Sequence, residues 1–153
     1  MELTKKQAVE NHRKMWNWIA DQLERDDNTK DVIDLKEAYC KENNYSLIHD
    51  CFCCEYAKSA YREYDKNNCL YCPILWGSEN HSNNLISHYC EPKGSLNSNM
   101  LSWYKAYKLS SARQYKEASE IARQIANLPE RPDDEYDILE ERSDTNGKNK
   151  SQM

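Results

Sequence analysis

Four cysteines stand at the spacing that holds a metal ion. Cys51-Phe52-Cys53-Cys54 and Cys69-Leu70-Tyr71-Cys72 are two CxxC units with fourteen residues between them. Two residues between thiolates let a tight turn aim both sulfurs at one ion about 2.3 Å away, and two such turns complete a tetrahedron. Four soft thiolates select zinc or an iron–sulfur cluster. Zinc is the expectation, because it needs no assembly machinery. A closed set of four thiolates leaves no open position for water, so a single structural Zn2+ is expected on Cys51, Cys54, Cys69 and Cys72. Three further cysteines bear on that ligand set. Cys53 has the wrong spacing from Cys51, Cys40 falls in a helical stretch and reads as core, and Cys90 follows His88 by two residues. Cys90 or His88 could replace one of the four ligands.

Other chemistry is thinly represented. His81, Asn84 and His88 lie in the run HSNNLISH and carry the residue types of a His-Asn-His nuclease. Such an enzyme needs its general-base histidine in a strand–strand–helix unit, well ahead of the Asn, whereas here the three crowd one short segment. The H-x-E motif of a zinc deaminase is missing. Three glycines in the whole chain leave no room for a phosphate-cradling loop. The residues therefore point to no particular reaction.

The elements that position the cysteines are helical by pattern. Thr4 and Gln7 form a capping box ahead of Ala8, His12, Met15, Trp16, Ile19 and Leu23, which share one helical face and should pack on the core. Trp18 falls off that stripe. A second helix is predicted from about Lys30 to Asn43, carrying Val32, Leu35, Ala38 and Tyr39 and ended by Asn43-Asn44. Tyr56, Ala57, Ala60, Tyr61 and Tyr64 recur at helical spacing between the cysteine pairs, and Pro73 starts a turn after the second. Residues 77–99 are rich in Ser, Asn and Gly and read as an irregular loop. A helix from about Ser98 to Leu109 follows. The last starts at Ser110 or Ser111 as cap, shows Ala118, Ile121, Ala122, Ile125 and Leu128 on one face, and stops at Pro129.

Composition sets the scale. The 153 residues suit one domain, 1–129, plus a tail, 130–153. Hydrophobic residues make up 39%, and there is one Phe against eleven Tyr and four Trp. So thin an apolar supply calls for a staple, which the metal would provide. The formal charge is -5, but eight acidic and four basic residues lie from Pro129 onward, leaving the body near neutral. That tail reads as disordered. No basic stripe invites nucleic-acid phosphates. Neither a signal peptide nor a membrane span is visible, and the odd count of seven cysteines argues against a closed disulfide framework. The expected setting is a reducing cytoplasm.

The segments CFCCEYAKSAY, CLYCPILWG, the lone Cys90, the WYKA helix and IARQIANLPERP, together with HRKMWNWIADQLE near the start, resemble a family of small cysteine-rich proteins of tailed phages and prophages of Firmicutes. The likeness covers most of residues 5–131. Its most specific parts are Cys54-Glu55-Tyr56-Ala57, Cys72-Pro73 with Trp76, and Ile125-Ala126-Asn127-Leu128-Pro129; Cys53 departs from the pattern. The resemblance implies a phage-encoded accessory protein in a bacterial host cytoplasm and implies no activity. The expected fold is mainly α, a small helical domain with an inserted zinc site. The expected mode of action is binding a host protein, for instance part of a defence system, with Trp18, Trp76 and Trp103 as candidate anchors. The alternative is a zinc-ribbon nucleic-acid binder using Lys58, Arg62 and Lys66, although Glu55, Glu63 and Asp65 lie among them.

Overall fold

The computed structural model describes residues 3–46, 52–61, 72–76, 79–80, 86–87 and 101–133. It is mainly helical: α1 (Lys5–Leu23), α2 (Val32–Glu42), α3 (Phe52–Tyr61), α4 (Trp103–Ser111) and α5 (Tyr115–Ala126). Two short strands, β1 (Glu79–Asn80) and β2 (Ile86–Ser87), pair antiparallel, with Glu79 opposite Ser87 and Asn80 opposite Ile86. That ladder lies inside the stretch expected to be an irregular loop.

The longest helix, α1, is the spine, and α2, α3 and α5 all pack on it while α4 joins α5 to α2. Its start is the expected capping box. Thr4 Oγ1 accepts the Gln7 amide at 3.1 Å, and Gln7 Oε1 accepts the Thr4 amide at 3.0 Å. Two backbone donors that a helix start leaves unpaired are thereby satisfied. The predicted stripe Ala8, His12, Met15, Trp16, Ile19 and Leu23 is buried, and Val9 and Ala20 widen it. A face that broad is needed because the helix meets three neighbours.

In α2 the cap is Asp31, paired with Asp34 in a second capping box. The helix ends at the predicted Asn pair. Asn44 takes φ 57, and the Tyr45 amide returns to the Cys40 carbonyl at 2.8 Å. This is a Schellman ending, and Asn is one of the few residues that enters the left-handed region readily.

The last two helices depart from their expected bounds. Ser102, not a residue near Ser98, caps α4, its Oγ accepting the Lys105 amide at 3.1 Å. Ser110 and Ser111 do not cap α5; they form the last turn of α4. A second Schellman ending follows, with Arg113 at φ 61 and the Gln114 amide on the Leu109 carbonyl at 2.8 Å. Helix α5 then begins at Tyr115 with no side-chain cap. Without glycine at the left-handed position, the break at 112–114 left no signature in the sequence. Ser110 has a different partner: its Oγ accepts the amide of Val32, the first residue of α2, at 3.0 Å.

The folded chain continues past Pro129, where the tail was expected to begin. Arg131 is buried, with 3% of its surface exposed. Ile74 and Glu130 form an isolated antiparallel bridge, the Leu75 amide donates to the Pro129 carbonyl at 2.9 Å, and the Arg131 amide donates to the Pro73 carbonyl at 2.7 Å. Residues 134–153, on which the expected disorder falls, lie outside the described residues. Among the described residues no helix is long and apolar enough to cross a membrane.

Candidate metal centre

Two of the four proposed ligands, Cys54 and Cys72, are described; Cys51 and Cys69 are not, nor are the substitutes His88 and Cys90. Cys54 sits in the first turn of α3. The helix was expected between the cysteine pairs, yet it starts at Phe52, inside the first pair. The reason is packing. Phe52 and Cys53 are completely buried, and Phe52 meets Tyr45 edge-on with ring centroids 5.0 Å apart. Cys53 is thus a small apolar core residue, while Cys54, one step round the helix, is half-buried. A thiol in the first turn of a helix faces the positive end of the helix dipole, which favours the thiolate that binds metal.

Cys72 is buried and belongs to the extended segment 72–76. Pro73 bends the chain, as expected, but Ile74 immediately pairs with Glu130 instead of continuing a turn. Arg131, next to Glu130, secures the same segment. Its Nε donates to the Cys72 carbonyl at 2.8 Å, and its backbone amide donates to the Pro73 carbonyl. Lys5, in the first turn of α1, then donates Nζ to the Arg131 carbonyl at 2.6 Å and pairs with Glu130 and Asp133. The second CxxC unit is therefore tied by its exit strand to the residues after α5, and through them to the start of α1.

The two described members of the expected ligand set are held by different elements. Cys54 is at a helix start, and Cys72 is held through its backbone carbonyl by Arg131. Among the described residues no three His, Cys, Asp or Glu converge as a ligand group. Cys40, expected in the core, is half-buried on α2, and burial pushes its thiol pKa up, against a smaller opposing effect of Lys36.

No family model, curated protein or solved structure matches the chain.

The residues of the nuclease alternative, His81, Asn84 and His88, lie outside the described residues, as do Arg62, Glu63, Asp65 and Lys66. Of the candidate anchors, Trp76 is 3% exposed and belongs to the core, against His12 in an edge-on contact with centroids 5.6 Å apart. Its indole Nε1 is buried with no hydrogen-bond partner. Trp18 is half-buried and leans on Tyr39. Trp103 is half-buried in a cluster with Tyr104 and Tyr107, its ring 5.4 Å from Lys36 Nζ.

Sequence reasoning passed over Arg131 and Lys5. Both read as ordinary surface cations, and no spacing rule links either of them to a cysteine 59 or more residues away. The only local signal was a basic residue just after the helix-ending Pro129.

Proposed function

We propose that the chain is a phage-encoded accessory protein, stabilised by one structural zinc on Cys51, Cys54, Cys69 and Cys72, that acts by binding a host protein in the bacterial cytoplasm. The observation that carries the zinc reading is the stitching of residues 72–75 to residues 129–131. A metal joining Cys54 to Cys72 would link α3, which packs on α1, to the segment that closes the fold after α5. That role is structural, and the seven-cysteine chain with its thin apolar core needs such a link.

Binding is supported by α4. Trp103, Tyr104 and Tyr107 present three half-buried rings with centroids 5.9–6.2 Å apart. Clustered Trp and Tyr of this kind dominate protein interfaces. Inhibition of a host defence component is one action such a surface serves. Lys108 stacks on Tyr104 in the same cluster, and no acidic residue occurs from Pro92 to Lys116. Those observations favour single-stranded nucleic acid as the second reading for this face.

Elemental analysis of the purified chain tests the zinc, with melting curves recorded with and without chelator. One zinc per chain and a large loss of stability on chelation are expected. Cys51→Ser and Cys72→Ser should unfold the protein or greatly reduce its soluble yield, since structural zinc contributes on the order of 10 kcal/mol. No zinc, or a metal whose removal leaves melting unchanged, contradicts the reading. Tyr104→Ala and Lys108→Glu then test the α4 face. Loss of a purified host partner supports the protein reading, whereas loss of salt-sensitive oligonucleotide binding supports the second.

A further inference from the structure

Lys36 of α2 is held between two tryptophans. Its Nζ lies 5.4 Å from the centre of the Trp103 ring on α4 and 6.0 Å from that of Trp16 on α1, which is buried. Lys36 is half-buried, yet among the described residues it forms no ion pair with a carboxylate. Lys108 repeats the arrangement in the same ring cluster: its Nζ stands 5.2 Å over the Tyr104 ring, again with no ion pair among the described residues. An ammonium over an aromatic face keeps its charge, and its donors remain able to take an anion. Partial loss of water around a cation is costly without a counter-charge, so such a lysine gains by meeting one. Tyr104 and Tyr107 add two phenol hydroxyls that have no hydrogen-bond partner among the described residues.

We propose that this face of α4 takes an acidic peptide segment of its partner protein, with carboxylates on Lys36 and Lys108 and apolar side chains against the rings of Trp103, Tyr104 and Tyr107. The proposal rests on the protein-binding reading of α4 above and names the partner by its charge. No acidic residue occurs from Pro92 to Lys116, although the chain as a whole carries -5. The positive field is therefore local on an acidic molecule. It attracts a short acidic segment, whereas the net charge opposes a long polyanion. Ring geometry favours the same choice. A base stacks on an open aromatic face. Lys36 and Lys108 already cover a face of Trp103 and of Tyr104. A base stacking on those faces displaces the lysine, whereas a carboxylate bonds to it.

A random peptide library displayed on yeast and sorted against the purified full-length chain tests the partner class. The retained peptides should be rich in Asp and Glu beside aliphatic or aromatic residues. One of them is then synthesised with a fluorophore, and its binding is read by anisotropy. Lys36→Gln should weaken it at least about 10-fold. Lys36→Arg, which keeps a cation over the ring, should bind near the parent. Lys41→Gln, which removes an exposed charge from the same helix, should change binding little. Far-UV circular dichroism verifies that each variant is folded, and the exposed Lys108→Gln replaces Lys36→Gln where that variant does not fold. Retained peptides that are neutral or basic would overturn the acidic partner; where they still need Tyr104, the protein-binding reading stands. An acidic peptide bound equally by the parent and by Lys36→Gln, or by Lys108→Gln in its place, would overturn it in the same way. No retained peptide, with labelled oligothymidylate bound through Tyr104 and released by salt, would replace both readings with nucleic acid. No binding of either probe would remove both.

Discussion

Ser110 Oγ accepts the backbone amide of Val32 at 3.0 Å, across 78 residues of sequence, and donates to the Tyr107 carbonyl at 2.9 Å. A serine in the last turn of α4 therefore satisfies a donor at the start of α2, which Asp31 by itself leaves unmet. Both residues are buried, so no water replaces the bond. Ser110→Ala should cost about 1–3 kcal/mol, the penalty of a buried unpaired amide. Chemical denaturation measures it, and Ser111→Ala, an exposed neighbour in the same turn, should change stability little.

His12 faces the core as its position on the α1 stripe predicts. Its Nε2 lies 3.1 Å from the Ile125 carbonyl in the last turn of α5, and its ring meets Trp76. His12→Ala removes a fully enclosed ring and should cost roughly 2–5 kcal/mol. A loss below 1 kcal/mol would mean that α1 and α5 close without it.

Trp76 makes the opposite prediction. Truncation to Phe loses packing but also removes an indole donor that is buried without a partner. An unpaired buried donor costs about 1–3 kcal/mol, close to the packing that Trp76→Phe gives up. The variant should melt near the parent, within ~1 kcal/mol in denaturation, despite the loss of a core tryptophan.

At Arg113 a side chain with a Cβ occupies φ 61. The left-handed region costs such a residue about 1–2 kcal/mol, more than the roughly 0.4–1 kcal/mol of chain entropy that glycine adds to the unfolded state. Arg113→Gly should raise stability, read as a higher denaturation midpoint with an unchanged slope.

Cys40 gives a pH signature. Its folded thiol pKa is raised, with burial the larger cause. An unfolded thiol ionises near pH ~8.5. Its contribution to stability is thus fully present below that pH. It falls as pH rises through the unfolded value toward the higher folded one, where the unfolded chain sheds its proton first. Cys40→Ser should flatten this alkaline slope. In the folded parent, alkylation of the peptide containing Cys40, followed by mass spectrometry, should lag behind that of a free model thiol.

Much of this protein was legible in local sequence. The Thr4–Gln7 capping box, the α1 stripe from Ala8 to Leu23 and the end of α2 at Asn43-Asn44 each need only neighbours within one or two turns. The bonds involved join residues three to five apart, and helical periodicity marks which side is apolar. The two CxxC spacings are local as well, and the zinc proposed for them is what elemental analysis tests.

Long-range partners were decided by tertiary structure alone. Ser110 had the chemistry of a cap, but which helix it caps depends on α4 lying beside the start of α2. Cys53 and Cys54 are adjacent and identical in type; packing of Phe52 on the core buries the first and leaves the second half-exposed. Arg131 follows a helix-ending proline and resembles the start of a charged tail. It joins the fold where Cys72 and Pro73 come alongside to accept its hydrogen bonds. Residue type states what a group can donate, accept or ligate, whereas its partner is set by which distant segment the core brings within about 3 Å.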